Sequence, residues 1–349
     1  MSPAEIESLW KQPEAPQFHA GAPGHPFQTL RIFQKALRAR LGAPKNLGDW
    51  VKKAHLLNYE AERAEFEAYG ARKYAGTTGI VHWLLNSPWP SLIWHLYDWS
   101  LVPSAAFYGA KKANEPVHAV FAYDDRSVII VNNTPKPEAA LSVAVRVLDL
   151  AGAELTSDRR PVSVGADAFA KVGTVPAPTG KKGVHLVELE LRRGPEIVST
   201  NTYFVPEKKD VTKPLATTWL NTPTVEYADL TALARLPATS IKVSATKSRE
   251  GAQGRVAVTL ENVGSGIALL VRGLVRRGVD GPPVAPVFWD DNFVTLRPGV
   301  ADVVLEELVA FLAERRIAKM KFPERLVVVS EMPLTPTRKI IKSRLKIPG

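Results

Sequence analysis

Thr78-Gly-Ile-Val-His-Trp-Leu-Leu-Asn86 decides how the first 113 residues of this chain are read. It is a short, nearly continuous apolar run between turn signals, the pattern of a strand buried on both sides in a parallel sheet. Helical patterns precede it. Ser2-Pro3-Ala4-Glu5 forms a capping box with proline at the first helical position, and a second helix is expected over Phe27 to Leu41, before Gly42 and Pro44. A third is capped by Asn46 and carries Leu47, Trp50, Val51, Ala54, Leu57, Ala61 and Ala64 at helical spacing up to Gly70. After the run comes an aromatic stretch with Trp89, Trp94, Tyr97, Trp99, Phe107 and Tyr108. Helix, central strand, aromatic loop and helix in that order fit the last piece of an α/β barrel, although nothing earlier in the chain supplies the other strands.

From Val117 the hydrophobic period changes to two. Strands are expected at Val117 to Tyr123, Ser127 to Asn132, Leu141 to Leu150, Gly183 to Leu191 and Glu196 to Val205, separated by clusters such as Asn132-Asn133-Thr134-Pro135. That spacing predicts a β-sandwich. Pro206 to Pro214 suits a linker, and further strands at Ile241 to Thr246, Arg255 to Asn262, Ala268 to Arg276 and Phe293 to Leu296 predict a second sandwich. Beyond Arg297-Pro298-Gly299, Val303 to Ala313 reads as an amphipathic helix that opens a small α+β tail. The fold class expected is thus multidomain, α/β plus all-β. It divides into a barrel end over 1–113, sandwiches over 114–206 and 207–299, and a tail over 300–349.

At 349 residues and 45% apolar composition the chain can fill the cores of two or three domains. Its longest apolar runs fall far short of the roughly 20 residues that span a bilayer, so no membrane partner is expected. Met1-Ser2-Pro3-Ala4-Glu5 lacks the marks of a signal peptide, which predicts a cytoplasmic protein as written. The absence of cysteine excludes disulfides, zinc-thiolate sites and thiol nucleophiles. The net charge of +10 is spread along the chain except near its end, where Arg315, Arg316, Lys319 and Lys321 begin a basic tail. A solvated tail accounts for it, and no nucleic-acid partner is expected.

Gly79-Ile-Val-His-Trp-Leu-Leu-Asn-Ser-Pro-Trp-Pro-Ser-Leu-Ile-Trp-His-Leu-Tyr-Asp98 and Phe107-Tyr-Gly-Ala-Lys-Lys-Ala-Asn-Glu-Pro-Val-His118 resemble the end of the catalytic barrel in glycoside hydrolase family 2, in its exo-β-glucosaminidases and related β-mannosidases. The resemblance runs back through Asn58-Tyr-Glu-Ala-Glu-Arg-Ala-Glu-Phe-Glu67 and forward to Trp289-Asp-Asp-Asn-Phe-Val-Thr-Leu-Arg-Pro-Gly299. It implies a retaining glycosidase whose (β/α)8 barrel is followed by two immunoglobulin-like sandwiches. Such hydrolysis needs two carboxylates about 5 Å apart, an acid/base and a nucleophile. The resemblance makes Thr78 to Asn86 the eighth barrel strand and puts both carboxylates upstream of Met1, so no catalytic residue is expected here. Glu60, Glu62, Glu65 and Glu67 are read as a solvated helix surface, and Asp98 as a buried polar anchor.

Binding residues are expected to survive better. Trp83 and Asn86 stand where the eighth strand would open into the sugar pocket, with Trp89 in the following loop. An indole face stacks on the C–H face of a sugar, and an amide bonds a hydroxyl. Trp83 is read evenly between pocket and core, whereas Trp94 and Trp99 are read as core. The partners implied are a β-linked glucosamine or mannose saccharide, bound weakly if at all, and a missing barrel half.

The tail resembles a different family. Glu306 to Leu326 and Glu331-Met-Pro-Leu-Thr-Pro-Thr-Arg-Lys-Ile-Ile-Lys342 are similar to the C-terminal subdomain of adenylate-forming acyl-CoA synthetases and ligases. That resemblance gives Lys339 the position of the lysine that reaches the acyl phosphate, but Arg338 replaces the family's glycine. The large nucleotide-binding domain is absent, and no cofactor is expected. The readings carried forward are, in order, the C-terminal portion of a glucosaminidase, a noncatalytic carbohydrate-binding or interaction module, and an adenylate-forming tail.

Overall fold

A computed structural model describes residues 1–15, 29–87, 89–92, 95–177, 183–217, 222–250, 253–276 and 289–309. Four helices lead the described residues: α1 (Pro3–Trp10), α2 (Arg31–Leu41), α3 (Leu47–Gly70) and α4 (Ala105–Ala113). The capping box is formed: the Ser2 hydroxyl accepts the Glu5 N–H, and the Ser2 N–H donates to Glu5 Oε2 at 2.6 Å. Asn46 caps α3 by accepting the Asp49 N–H at 3.0 Å. α2 ends at Gly42, whose φ of 75° is open to glycine at no steric cost. None of the described helices is long and apolar enough to cross a membrane.

The strand expected at Thr78 to Asn86 does not form. Among the described residues a single isolated bridge, Asn86 with Tyr97, touches this stretch. A strand exists only against a neighbour, and among the described residues none lies beside Thr78 to Leu84. The leading region is therefore helical and coil rather than α/β.

The first β-unit follows the period-two reading. β1 (Val117–Phe121), β2 (Ser127–Asn132) and β5 (Ala168–Thr174) form one antiparallel sheet in the order β1-β2-β5. The other sheet has the order β4-β3-β6-β7, from β3 (Glu138–Leu148), β4 (Glu154–Val164), β6 (His185–Arg193) and β7 (Glu196–Val205). Alternate residues of both sheets share one core: Val117, Ala119 and Phe121 of β1 meet Val143, Val145 and Val147 of β3 and Leu189 of β6. The other face of β1 and β2 is also covered, because Val120, Ile129 and Val131 pack on Ala71 at the end of α3. β4 and β5 were not expected. β4 is an edge strand whose side chains are mostly exposed, so Glu154 to Arg160 shows no apolar alternation, and Pro161 is tolerated there because an edge strand spares the N–H it lacks.

The expected linker contributes one short strand. β8 (Val211–Thr212) pairs with β9 (Thr224–Glu226), and the second unit then comprises β10 (Ile241–Glu250), β11 (Gln253–Asn262), β12 (Ala268–Val271), β13 (Val294–Leu296) and β14 (Ala301–Val309). Its sheets are β10-β11-β14 and β12-β13. β14 corrects the expected helix over Val303 to Ala313: it pairs antiparallel with β11, Leu260 facing Val303 and Gly254 facing Val309. A short apolar run of this kind is compatible with either period, and here the open edge of β11 supplies hydrogen-bond partners that a helix would leave unused. Residues 310–349, with the rest of the expected tail, lie outside the described residues.

Helices α3 and α4 join the two β-units. Leu57 and Trp50 of α3 share a core with Leu148, Leu186 and Phe204 of the first unit, and Tyr59 and Tyr108 share another with Trp289, Phe293 and Leu260 of the second.

Candidate functional site

Trp83, Asn86 and Trp89, expected to face sugar, lie in the coil between α3 and α4. Beside it lies a cavity of about 510 Å³, lined by α2, α3 and the segment from His82 to Ser104. Its floor is apolar, with Leu30, Phe33 and Val51, and polar side chains, Glu62, His82 and Ser91 among them, break that surface. His82 Nδ1 lies 3.2 Å from Glu62 Oε2. Burial, reinforced by Glu65, pushes the Glu62 carboxyl up to about 7, so it exchanges its proton near neutrality. The buried Ser91 hydroxyl and Trp50 indole N–H have no hydrogen-bond partner among the described residues. His55 also lines the cavity, and its burial, aided by the charge of Arg272, holds it down to about 3 and therefore neutral. Asp98 is half-buried and accepts the N–H groups of Ser100 at 2.9 Å and Val102 at 3.0 Å, so it fixes the loop as an anchor.

Trp83 is 68% exposed and Trp89 37% exposed; Asn86 is exposed and bridged to Tyr97. The three lie within one segment, but none lines the cavity. The peptide bond from Trp83 to Leu84 is cis. Of the tryptophans read as core, Trp99 is 42% exposed, and Trp94 lies outside the described residues. Lys339 lies outside them too.

The glutamates of α3 required the largest correction. Positions 60, 63 and 67 fall on one helical face, and that face turns inward against β1 and β7. Arg63 and Glu67 are buried, and Glu60 is half-buried. Arg63 donates to Asn201 Oδ1 at 2.6 Å, to the Thr202 carbonyl at 2.6 Å and to Glu60 Oε1 at 2.5 Å. Glu60 accepts from Tyr123 at 2.6 Å, and Glu67 accepts from Tyr203 at 2.8 Å and Asn201 at 2.7 Å. His118, in the apolar run of β1, lies between Glu67 and Glu115. Glu115 pairs with Lys112, which also pairs with Asp291 of the second β-unit. A histidine within an otherwise apolar strand was the signal in the sequence for this network. Each of its charges faces an opposite charge, which suits the joining of layers rather than the turnover of a substrate.

Residues 124–210 match the family described as the mannosidase Ig/CBM-like domain, and residues 219–308 the exo-β-D-glucosaminidase Ig-fold domain. The second match takes in most of β14. An exo-β-D-glucosaminidase of Streptomyces avermitilis is 41% identical over 313 residues, 86% of this chain and 34% of that protein. One of Amycolatopsis orientalis is 38% identical over 342 residues, 95% of this chain and 32% of that protein. The structure of an A. orientalis exo-chitosanase variant in complex with PNP-β-D-glucosamine superposes with a TM-score of 0.82 at 36% identity, covering 88% of this chain and 37% of that one. A stretch of 54 residues, 16% of this chain, is 41% identical to a medium-chain fatty-acid–CoA ligase of Escherichia coli, covering 10% of that enzyme. Over most of its length, then, the chain is a homologue of the glycoside hydrolase family 2 exo-β-D-glucosaminidases, and it spans about a third of the length of the relatives it matches.

Proposed function

We propose that this chain serves as the C-terminal portion of an exo-β-D-glucosaminidase-type hydrolase, active on O-glycosyl bonds only together with the part of the relatives that it does not match. The structural correspondence with 37% of an exo-chitosanase, at 36% identity, carries this reading. Residues 1–113 act in it as the end of the (β/α)8 barrel. The two β-units act as its immunoglobulin-like sandwiches, the second extended to residue 309 by β14. Trp83, Asn86 and Trp89 then face a β-linked glucosamine, the tryptophans as stacking platforms and Asn86 as a hydroxyl partner. Their exposure supports this, since a platform must present its face to the ligand.

A chimera tests the reading. The matching portion of the A. orientalis exo-chitosanase is replaced by this chain in one continuous polypeptide, and hydrolysis of p-nitrophenyl β-D-glucosaminide is measured. Turnover is expected, and it falls in the Trp83→Ala version. A folded but inactive chimera overturns the proposal. The match of 124–210 to an Ig/CBM-like description favours a second reading, a noncatalytic carbohydrate-binding module. That reading predicts that this chain alone, with Trp83 replaced, still binds glucosamine oligomers.

A further inference from the structure

We infer that the cavity between α2, α3 and the His82 to Ser104 segment is a binding site for an amphipathic primary amine, an elongated apolar body carrying one ammonium group that pairs with Glu62. This does not rest on the proposed function, whose sugar contacts Trp83, Asn86 and Trp89 all lie outside the lining of the cavity.

The shape comes from one helix. Trp50, Ala54, Asn58 and Glu62 all line the cavity and recur every four residues of α3, so they form one row along its axis. At 1.5 Å per residue the row is about 18 Å long. It is apolar at one end, where Trp50 meets Phe33 with ring centroids 6.4 Å apart, and acidic at the other. A volume of about 510 Å³ falls within the roughly 300–1,000 Å³ of small-molecule pockets. The floor does not suit a sugar, because hydroxyls laid on Leu30, Phe33 and Val51 would lose their hydrogen bonds to water and gain none in return.

The head group follows from charge. His82 Nδ1 stands 3.2 Å from Glu62 Oε2, yet neither that oxygen nor His82 Nε2 has a hydrogen-bond partner among the described residues. Burial first, and then the neighbouring carboxylate of Glu65, push the Glu62 carboxyl up to about 7. A cation acts against both effects, since it favours the ionised carboxylate, and an ammonium brings three donors. Ser91, 5% exposed and likewise without a partner, stands in the same lining. Arg272 is the weaker anchor for a charged ligand: the Asp98 carboxylate already supports its charge, and its guanidinium lies 5.6 Å from the Phe293 ring. The remaining titratable groups of the lining are His55 on α3, held neutral by burial, the Met1 amine paired with Asp98, and His95; α1, α2 and α4 contribute none.

The test is isothermal titration calorimetry of the full chain with three probes that share one apolar body: n-octylamine, n-octanol and n-octanoate. At pH 8, where Glu62 is ionised, octylamine is expected to bind about tenfold more tightly than octanol or better, as one charge-assisted hydrogen bond allows, and octanoate more weakly than either. Below the Glu62 pKa of about 7 the amine competes with a proton, so the preference is expected to disappear at pH 5. Glu62→Gln keeps the shape of the side chain and is expected to bring octylamine to the affinity of octanol while leaving octanol unchanged. Retained octanol binding separates loss of the ion pair from misfolding. Ala36→Leu, which adds volume from α2, is expected to weaken all three probes. Octanol bound as tightly as octylamine at pH 8, or a preference that survives Glu62→Gln, overturns the inference. So does tighter binding of octanoate, which would move the head group to Arg272, or failure of all three probes to bind.

Discussion

His118 Nε2 lies 2.8 Å from Glu67 Oε1, while its Nδ1 lies 3.0 Å from Glu115 Oε2, so one buried imidazole joins α3 to the residues that lead into β1. Burial opposes its charging, but the hydrogen bonds to Glu115 and Glu67 outweigh burial and raise its pKa above the ordinary 6.5. For Glu115 burial acts upward, and the bonds to His118 and Lys112 prevail, holding it down to about 2. The signs follow by linkage. The His118 contribution is complete below pH 6.5 and is lost as pH rises through its folded pKa. That of Glu115 is complete above pH 4.5 and is lost as pH falls toward 2. Ser199, Asn201, Arg63 and Tyr203 surround the same pocket, and of these only Arg63 carries charge. The melting-temperature advantage of the parent over His118→Gln is expected to be largest below pH 6.5 and to shrink as pH rises above it. His118→Gln should flatten the alkaline limb, and an unchanged alkaline slope would count against a charged His118.

Arg63 is 1% exposed, and its guanidinium sits 4.1 Å over the Tyr203 ring. Replacing it with methionine keeps much of the volume but leaves Glu60 without its cation. Breaking a buried pair from one side costs about 3–5 kcal/mol, so Arg63→Met is expected to lower unfolding free energy by about that much in urea. Glu60→Gln in the same chain should recover part of the loss, because the two share one network and their effects do not add. Additive losses would mean that Glu60 and Arg63 act independently.

The fate of these glutamates shows where sequence reading stopped. The sandwich strands were legible because both sheets alternate strictly around one core, as in Val117, Ala119 and Phe121. Thr78 to Asn86 reads as a strand buried on both sides from its nearly continuous apolar run, yet residues 79–85 alternate in burial instead. What the pattern could not contain is the neighbour that turns an alternating segment into a strand. The Glu60–Arg63–Glu67 face failed for a different reason: charges at helical spacing imply solvent unless a partner of opposite charge lies across a tertiary contact. His118, Asn201 and Tyr203 supply that contact from 51 to 138 residues away. Val303 to Val309 failed because a run that short satisfies both periods, and pairing with β11 decided between them. Of the candidate site, the segment holding Trp83, Asn86 and Trp89 was legible, but the cavity formed by Glu62, His82, Ser91 and Trp50 was not. It exists only where α2, α3 and the His82 to Ser104 segment come together.

Gly109 marks the closest approach of α3 and α4. A Cβ placed there would lie 2.4 Å from the Tyr59 carbonyl oxygen and 3.2 Å from the Arg63 nitrogen, both backbone atoms that cannot rotate away. Alanine would otherwise favour a helix by about 1 kcal/mol over glycine. Overpacking of about 1–3 kcal/mol outweighs that gain, so Gly109→Ala is expected to lower the melting temperature despite its better propensity. Gly165→Ala, whose added Cβ would meet only the Ala168 side chain at 3.5 Å, is a suitable comparison and should change it much less. A Gly109→Ala protein as stable as its parent would contradict the helix crossing described above.

Glu62 provides a readout of the cavity itself. Its carboxyl is pushed up from 4.5 to about 7, first by burial and then by the neighbouring Glu65. For an acid raised in the folded state the sign is opposite to that of Glu115: the unfolded chain releases its proton near 4.5, the folded chain only near 7. Glu62 therefore weakens the fold progressively as pH rises from 4.5 to 7, and the penalty is complete above that. Glutamine keeps the shape and cannot ionise. The melting temperature of Glu62→Gln relative to the parent is thus expected to be higher at pH 8 than at pH 5, the comparison within each pH cancelling what His118 and Glu115 contribute. A difference independent of pH would mean that water reaches Glu62 freely and that the cavity is open there.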